Sequence, residues 1–239
     1  MFKTAGGWAA MLCLRRRRRG GLMGEKGYTF FMMDESSFIF GVDLDGVVGD
    51  FYGIMREITA EWLHKPVESL TREVGYGLDE WGVAEYGGYD RLHRFAVTQR
   101  SLFRDMKPIA GAPVALRRLS NRGVRIRIIT HRIFLKYFHK TSITQTVDWL
   151  DSYDIPYWDL CFMNDKGAVG AHVYIDDAPA NIIDLRGQGC RTIVFTNSTN
   201  RHLPGPRADR WEEVEEMVME ALAEWVGRRR GDGSFGKRA

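Results

Sequence analysis

The stretch that most constrains this chain is Phe38-Ile39-Phe40-Gly41-Val42-Asp43-Leu44-Asp45-Gly46-Val47. An apolar run rich in aromatic and β-branched residues ends in two carboxylates and a glycine. Such a run reads as a strand buried on both faces, as in parallel sheets. Open α/β sheets place their ligands beyond the carboxyl ends of the strands, which is where Asp43 and Asp45 fall. Alternation along a strand sets these two carboxylates on one side and turns Leu44 away. Like charges that close are costly without a cation or a shared proton. Gly46 lets the backbone turn tightly just past them. An Asp-Gly pair after a strand is also an ordinary turn, so the rest of the chain has to decide.

The remaining pattern is an α/β rhythm. Residues 51–64 carry Phe51, Ile54, Met55, Ile58 and Trp62 at helical spacing, and Pro66 closes that helix. Residues 67–107 are rich in glycine and aromatic residues and contain helical pieces. Then come a helix over 111–121 and a strand over 124–129 ending in Thr130. A helix over 141–153, a strand over 159–163 and a strand over 173–175 ending in Asp176-Asp177 follow. The pattern continues with a helix over 179–186, a strand over 192–195 and an amphipathic helix over 211–226. Strands alternating with helices predict a doubly wound parallel sheet, Rossmann-like, with helices on both faces. Residues 33–51 and 108–226 would form that core. Residues 52–107 would form a small, mainly helical insertion after the first strand.

Charge separates the ends from the middle. The formal net charge is +3, but residues 1–32 hold seven Lys/Arg against one Glu, and residues 227–239 hold five Lys/Arg against one Asp. The segment between is therefore net acidic, which argues against a nucleic-acid-binding core. The apolar piece around Trp8–Leu14 is too short to span a bilayer. Arg15–Arg19 follow it, the reverse of a secretory signal. Residues 1–32 read as a disordered basic leader, with a start at Met23, Met32 or Met33 in view. Its arginines offer a second reading, contact with nucleic acid or an anionic surface. The tail from Gly227 reads as disordered too. Cys13, Cys161 and Cys190 form no CxxC pair, which fits a reducing cytoplasm without disulfides or a zinc site.

Four strand ends together gather Asp43, Asp45, Thr130, Lys166 and Asp176-Asp177, a hydroxyl, an ammonium and four carboxylates. Clustered carboxylates call for a hard cation, and oxygen ligands favour magnesium. The hydroxyl and ammonium suit a phosphate, and the set suits phosphoryl transfer. Asp43-Leu44-Asp45-Gly46-Val47, then Thr130, then Lys166 ahead of Asp176-Asp177 resembles the four-motif signature of the haloacid dehalogenase-like hydrolases, over residues 37–226. The resemblance implies that Asp43 is the nucleophile and a magnesium ligand. It makes Asp45 the general acid/base, with its backbone carbonyl on the metal. Thr130 would bind phosphoryl oxygens, Lys166 would hold the nucleophile, and Asp176 would be the third ligand with Asp177 in support. An acid at Asp45 is the mark of the phosphatases and mutases in that superfamily.

In that superfamily an insertion at 52–107 is a cap that selects the leaving group. Asp43 to Phe51 is more specifically similar to the 5′(3′)-deoxyribonucleotidases, which stack the nucleobase on a phenylalanine at the place of Phe51. Trp81 is a candidate second aromatic. Two positions depart from that family. His131-Arg132 follow Thr130 where a small residue and a proline are usual, and Ala178 follows the aspartates where a basic residue is common. Arg132 is a candidate to supply the missing charge to the substrate. The expectation is a magnesium-dependent phosphomonoesterase acting on nucleoside monophosphates. A sugar-phosphate phosphatase or mutase is the alternative, and a silent nucleic-acid-binding protein a further one. A homodimer is compatible with the sequence, and no membrane partner is expected.

Overall fold

The computed structural model describes residues 13–14, 37–134 and 138–232. Seven strands form one sheet: β1 (Cys13–Leu14), β2 (Ile39–Val42), β3 (Arg125–Thr130), β4 (Asp159–Phe162), β5 (Val173–Asp176), β6 (Thr192–Phe195) and β7 (Arg207–Ala208). Their order across the sheet is β1-β4-β3-β2-β5-β6-β7. Strands β2 to β7 are mutually parallel, and β1 pairs antiparallel with β4. The helices are α1 (Phe51–Trp62), α2 (Gly88–Gln99), α3 (Leu102–Asp105), α4 (Ala112–Asn121), α5 (His139–Ser152), α6 (Pro179–Gly187) and α7 (Trp211–Asp232).

The apolar runs explain the sheet. Every residue of β2, β4, β5 and β6 is buried, as expected of strands covered on both faces. Neighbouring residues enter different apolar clusters. Ile128, Leu160 and Ile175 join one, while Ile129, Cys161 and Tyr174 join the other. Period-2 alternation therefore feeds two separate cores, one on each face, which is the doubly wound arrangement.

β2 is the central strand, flanked by β3 and β5. The chain winds one way through β3 and β4, then returns to the other side of β2 for β5, β6 and β7. The reversal creates a crevice at the carboxyl end of β2, the general ligand position of such sheets. Asp43 follows β2 directly, and its amide donates to Ile175 O at 3.2 Å.

Between β2 and α4 the chain carries α1, α2 and α3, joined by short 3₁₀ turns and irregular loops. Asp50 caps α1, its side chain accepting from Gly53 N at 2.9 Å, which fixes where the helix starts. The apolar residues of this segment, among them Val74, Leu78, Trp81 and Leu92, belong to the same cluster as Phe40 and Leu116.

Three details differ from the sequence-based expectation. β7 is a two-residue strand, too short for any periodicity to show. α7 runs on through Gly227 to Asp232, into the segment expected to be a disordered tail. One glycine costs a helix only about 1 kcal/mol, and Arg228 lies within reach of Glu224 one turn earlier. Within the expected leader, Cys13–Leu14 forms the edge strand β1; the remainder of residues 1–32, with Arg15–Arg19, lies outside the described residues. Among the described residues no helix is long and apolar enough to cross a membrane.

Candidate active site

The loop after β2 is built to present carboxylates. The amides of Val48 and Gly49 both donate to Leu44 O, at 3.0 and 2.9 Å, folding residues 44–49 into a tight turn. Leu44 is fully buried. Gly46 sits at φ +80°, in the left-handed region. A Cβ there would come within 2.2 Å of Asp177 Oδ2, so the space glycine leaves empty is filled by a carboxylate oxygen.

Asp43, Asp176 and Asp177 converge. One carboxylate oxygen from each lies within 4.8 Å of the others, and all three residues are buried. Lys166, on the loop after β4, is 5% exposed, and its Nζ lies 2.8 Å from Asp43 Oδ1 and 2.6 Å from Asp176 Oδ2. The set is held from outside. Asp176 accepts from Ala178 N at 3.0 Å and from Asn181 Nδ2 at 3.1 and 3.2 Å. Asn197 Nδ2 donates to Asp177 Oδ2 at 2.7 Å, and Asn200 Nδ2 to Asp177 O at 2.8 Å.

Three buried carboxylates around one ammonium leave the group short of positive charge. Burial pushes the Asp43 carboxyl up to about 7; Lys166 pulls it down, while Asp176 and Asp45 push it further up. Asp177 is raised well above the usual carboxylate range by burial and by Asp176. A hard divalent cation with oxygen ligands would relieve this repulsion, and clustered oxygens are the donor set that magnesium takes. The residues present fit such an ion.

The Asp45 carboxylate stands outside this trio and faces a different partner. Arg132 Nη2 lies 2.7 Å from its Oδ1, and Arg132 Nε lies 3.0 Å from its Oδ2. Arg132 is thus committed to a protein carboxylate, although it lines the cavity where substrate contact was expected of it. Thr130 ends β3 and is fully buried; its Oγ1 accepts from Arg132 N at 3.4 Å. His131 beside it lines the cavity, with Nε2 3.0 Å from Asn164 O.

A cavity of about 240 Å³ opens on these groups. Asp43, Asp45, Arg132, Lys166 and Asp177 line it, and so do Phe51, Tyr52, Tyr76, Tyr89, His93 and Phe103. The aromatic rings form a continuous wall. Tyr76 stacks on Tyr89 at 6.2 Å between centroids, Tyr89 on His93 at 5.3 Å, and His93 meets Phe51 and Phe103 at 6.1 Å. Phe51 is where the sequence suggested. Trp81 is not: it is 2% exposed and packed in the apolar core, its Nε1 donating to Thr71 O at 2.8 Å. The indole anchors the segment between β2 and α4 and does not line the cavity. Tyr89 and His93 escaped sequence reading, although their i, i+4 spacing on one helix face was a usable signal. Tyr52 and Phe103 gave no comparable signal.

The chain is 14% identical to a haloacid dehalogenase family hydrolase from Deinococcus radiodurans, solved with bound phosphate and sodium. That match has a TM-score of 0.55 and covers 77% of this chain and 96% of the other, which establishes a shared fold. It is 56% identical over 186 residues to the "Putative 5'(3')-deoxyribonucleotidase" of Chlorobaculum tepidum, covering 78% of this chain and 92% of the relative. The model of the family described as 5′ nucleotidase, deoxy (pyrimidine), cytosolic type C protein matches residues 37–224. That span opens just before β2 and closes within α7, taking in every residue of the site, and the chain therefore belongs to this 5′ nucleotidase family.

Proposed function

We propose that the protein hydrolyses deoxynucleoside monophosphates to nucleoside and inorganic phosphate, with magnesium as cofactor. The observation that carries this reading is a single cavity lined both by the carboxylates and Lys166 and by a wall of aromatic rings. The first set suits a phosphoryl group and the second a nucleobase.

The chemistry divides into two displacements. In the first, an Asp43 oxygen attacks phosphorus, and the bond from phosphorus to the ester oxygen breaks with its electron pair on that oxygen. Asp45 gives its proton to the departing oxygen. In the second, water attacks the phosphorus held on Asp43, and Asp45 takes a proton from it. The bond from phosphorus to Asp43 breaks, releasing phosphate and regenerating both aspartates. Lys166 holds Asp43 in line and offsets the repulsion between carboxylate and phosphate. Thr130 is the candidate hydroxyl for a phosphoryl oxygen. A magnesium ion held by Asp43 and Asp176, with Asp177 beside them and the Asp45 carbonyl as a further ligand, would neutralise charge on the transferring group.

A panel of phosphomonoesters, assayed with magnesium and with excess chelator, tests the reading. Deoxynucleoside monophosphates are expected to be turned over best, and only with metal; calcium is expected to inhibit, because its larger and looser shell spoils in-line geometry. Sugar phosphates outrunning every nucleotide would move the substrate class. Undiminished turnover in chelator would remove the metal.

Phe51→Ala tests the base-reading wall. Stacking on an aromatic ring is worth ~1–3 kcal/mol per base, so kcat/KM for a nucleotide should fall about ten- to a hundredfold. Hydrolysis of p-nitrophenyl phosphate, which has no nucleobase, should change little. Equal losses on both substrates would make Phe51 a packing residue.

A further inference from the structure

Arg132 occupies an expensive place for a guanidinium. Its side chain is 1% exposed, and a buried charge persists only when paired and hydrogen-bonded. Each of its three nitrogens has a protein partner: Nε and Nη2 meet the two oxygens of Asp45, and Nη1 meets Thr146 Oγ1 at 3.1 Å. The Thr146 hydroxyl donates to Ser142 O at 2.7 Å, which leaves its lone pairs for the arginine. The ring of Phe103 lies 4.3 Å from the guanidinium carbon. The arginine is therefore fixed from several directions before any ligand arrives.

Asp45 is the opposite. Its side chain is 26% exposed and faces the cavity. Among the described residues, no other side chain hydrogen-bonds its carboxylate. A bidentate fork sets the plane of a carboxylate as well as its distance. The rigid partner thus orients the exposed one.

We propose that Arg132 is a positioning residue that acts through Asp45 and does not bind substrate. The proposal rests on the reading of Asp45 as the proton carrier of the reaction. Two nitrogens of the fork face the two oxygens of Asp45, so the pair fixes the plane of the carboxylate that meets the attacking water. The fork holds that carboxylate at a fixed orientation for the second displacement. Three of its five N–H groups are taken up by Asp45 and Thr146, so the fork itself is not offered to a substrate phosphate.

A double-mutant cycle distinguishes the two roles. Arg132→Met, Asp45→Asn and the double variant would be assayed with saturating magnesium on p-nitrophenyl phosphate and on the best nucleotide. Arg132→Met is expected to lower kcat ~10–100-fold, the scale of a misplaced catalytic group, with KM nearly unchanged. The double variant should be no slower than Asp45→Asn alone, because non-additivity marks residues acting as one unit. Arg132→Lys keeps the buried charge but offers a point donor in place of a fork, so it should recover only part of kcat. It also covers the case in which the methionine variant fails to fold. Additive losses, or a raised KM at unchanged kcat, would overturn the proposal while leaving Asp45 in its role. Asp45→Asn at the wild-type rate would defeat the reading of Asp45 and this proposal with it. Because p-nitrophenyl phosphate reports on phosphoryl transfer alone, a wrong nucleotide assignment would leave the cycle interpretable.

Discussion

Asp43→Asn is expected to leave no measurable turnover and, without metal, a protein that melts higher than the wild type at pH 8. Both effects come from one carboxylate. An amide cannot become the phosphorylated intermediate, so the proposed reaction would lose its nucleophile. Stability moves the other way because ionised Asp43 is held at a cost. Its carboxyl is raised from 3.8 to about 7, by burial against the pull of Lys166 and then by Asp176 and Asp45. Between those two values the folded chain keeps a proton that the unfolded chain has released. Stability of the metal-free wild type therefore falls as pH rises through that window and stays reduced above it. An asparagine carries no charge to penalise. Thermal melts in chelator at pH 5 and pH 8 should show a smaller decline for the variant. Turnover close to wild type in the purified variant would sink the nucleophile assignment.

Lys166→Met is expected to make folding dependent on metal. Burial alone would lower the pKa of Lys166, but Asp176 and Asp43 outweigh it and hold the ammonium above the usual lysine range. The group stays charged at every pH where the protein would be assayed. Removing it leaves Asp43, Asp176 and Asp177 buried together without their ammonium. Breaking a buried pair costs ~3–5 kcal/mol, or a fall in Tm on the order of 10 °C for a domain of this size. Magnesium should restore part of that loss, since a cation bound only to the folded state stabilises it by mass action. Activity should fall ~10²–10³-fold even with metal, the cost of one preorganised charge at a reacting centre. An unchanged Tm in chelator would mean that the three carboxylates are not charged together in the fold.

Much of the fold was legible because its strands announce themselves. β2 and β5 are apolar runs stopped by Asp43 and Asp176-Asp177, as parallel strands buried on both faces tend to be, while β3 ends in Thr130 and carries Arg125 and Arg127, which pair with Asp159 of β4. The same run ends exposed the acidic trio and Lys166. The aromatic wall was harder. Trp81 and Tyr89 lie in one glycine-rich, aromatic stretch, and composition does not say which ring faces the cavity and which the core. That depends on how irregular turns around the left-handed Leu78, Gly82 and Gly87 aim the chain. Arg132 could be marked as unusual from sequence, but its partner could not. Asp45 lies far off in the chain, and only the pairing of β2 with β3 brings the loops beyond them together.

The central place of β2 also governs when the site can exist. Gly41 pairs on one side with Arg127 and on the other with Tyr174, so both contacts close long loops and form late in entropic terms. The helices between β2 and α4 close their own backbone hydrogen bonds over a few residues each. A refolding chain should therefore regain helical signal before its carboxylates have met. Recovery of enzymatic activity would then time the completion of the sheet, reporting as a clock on the slowest long-range pairing in the molecule.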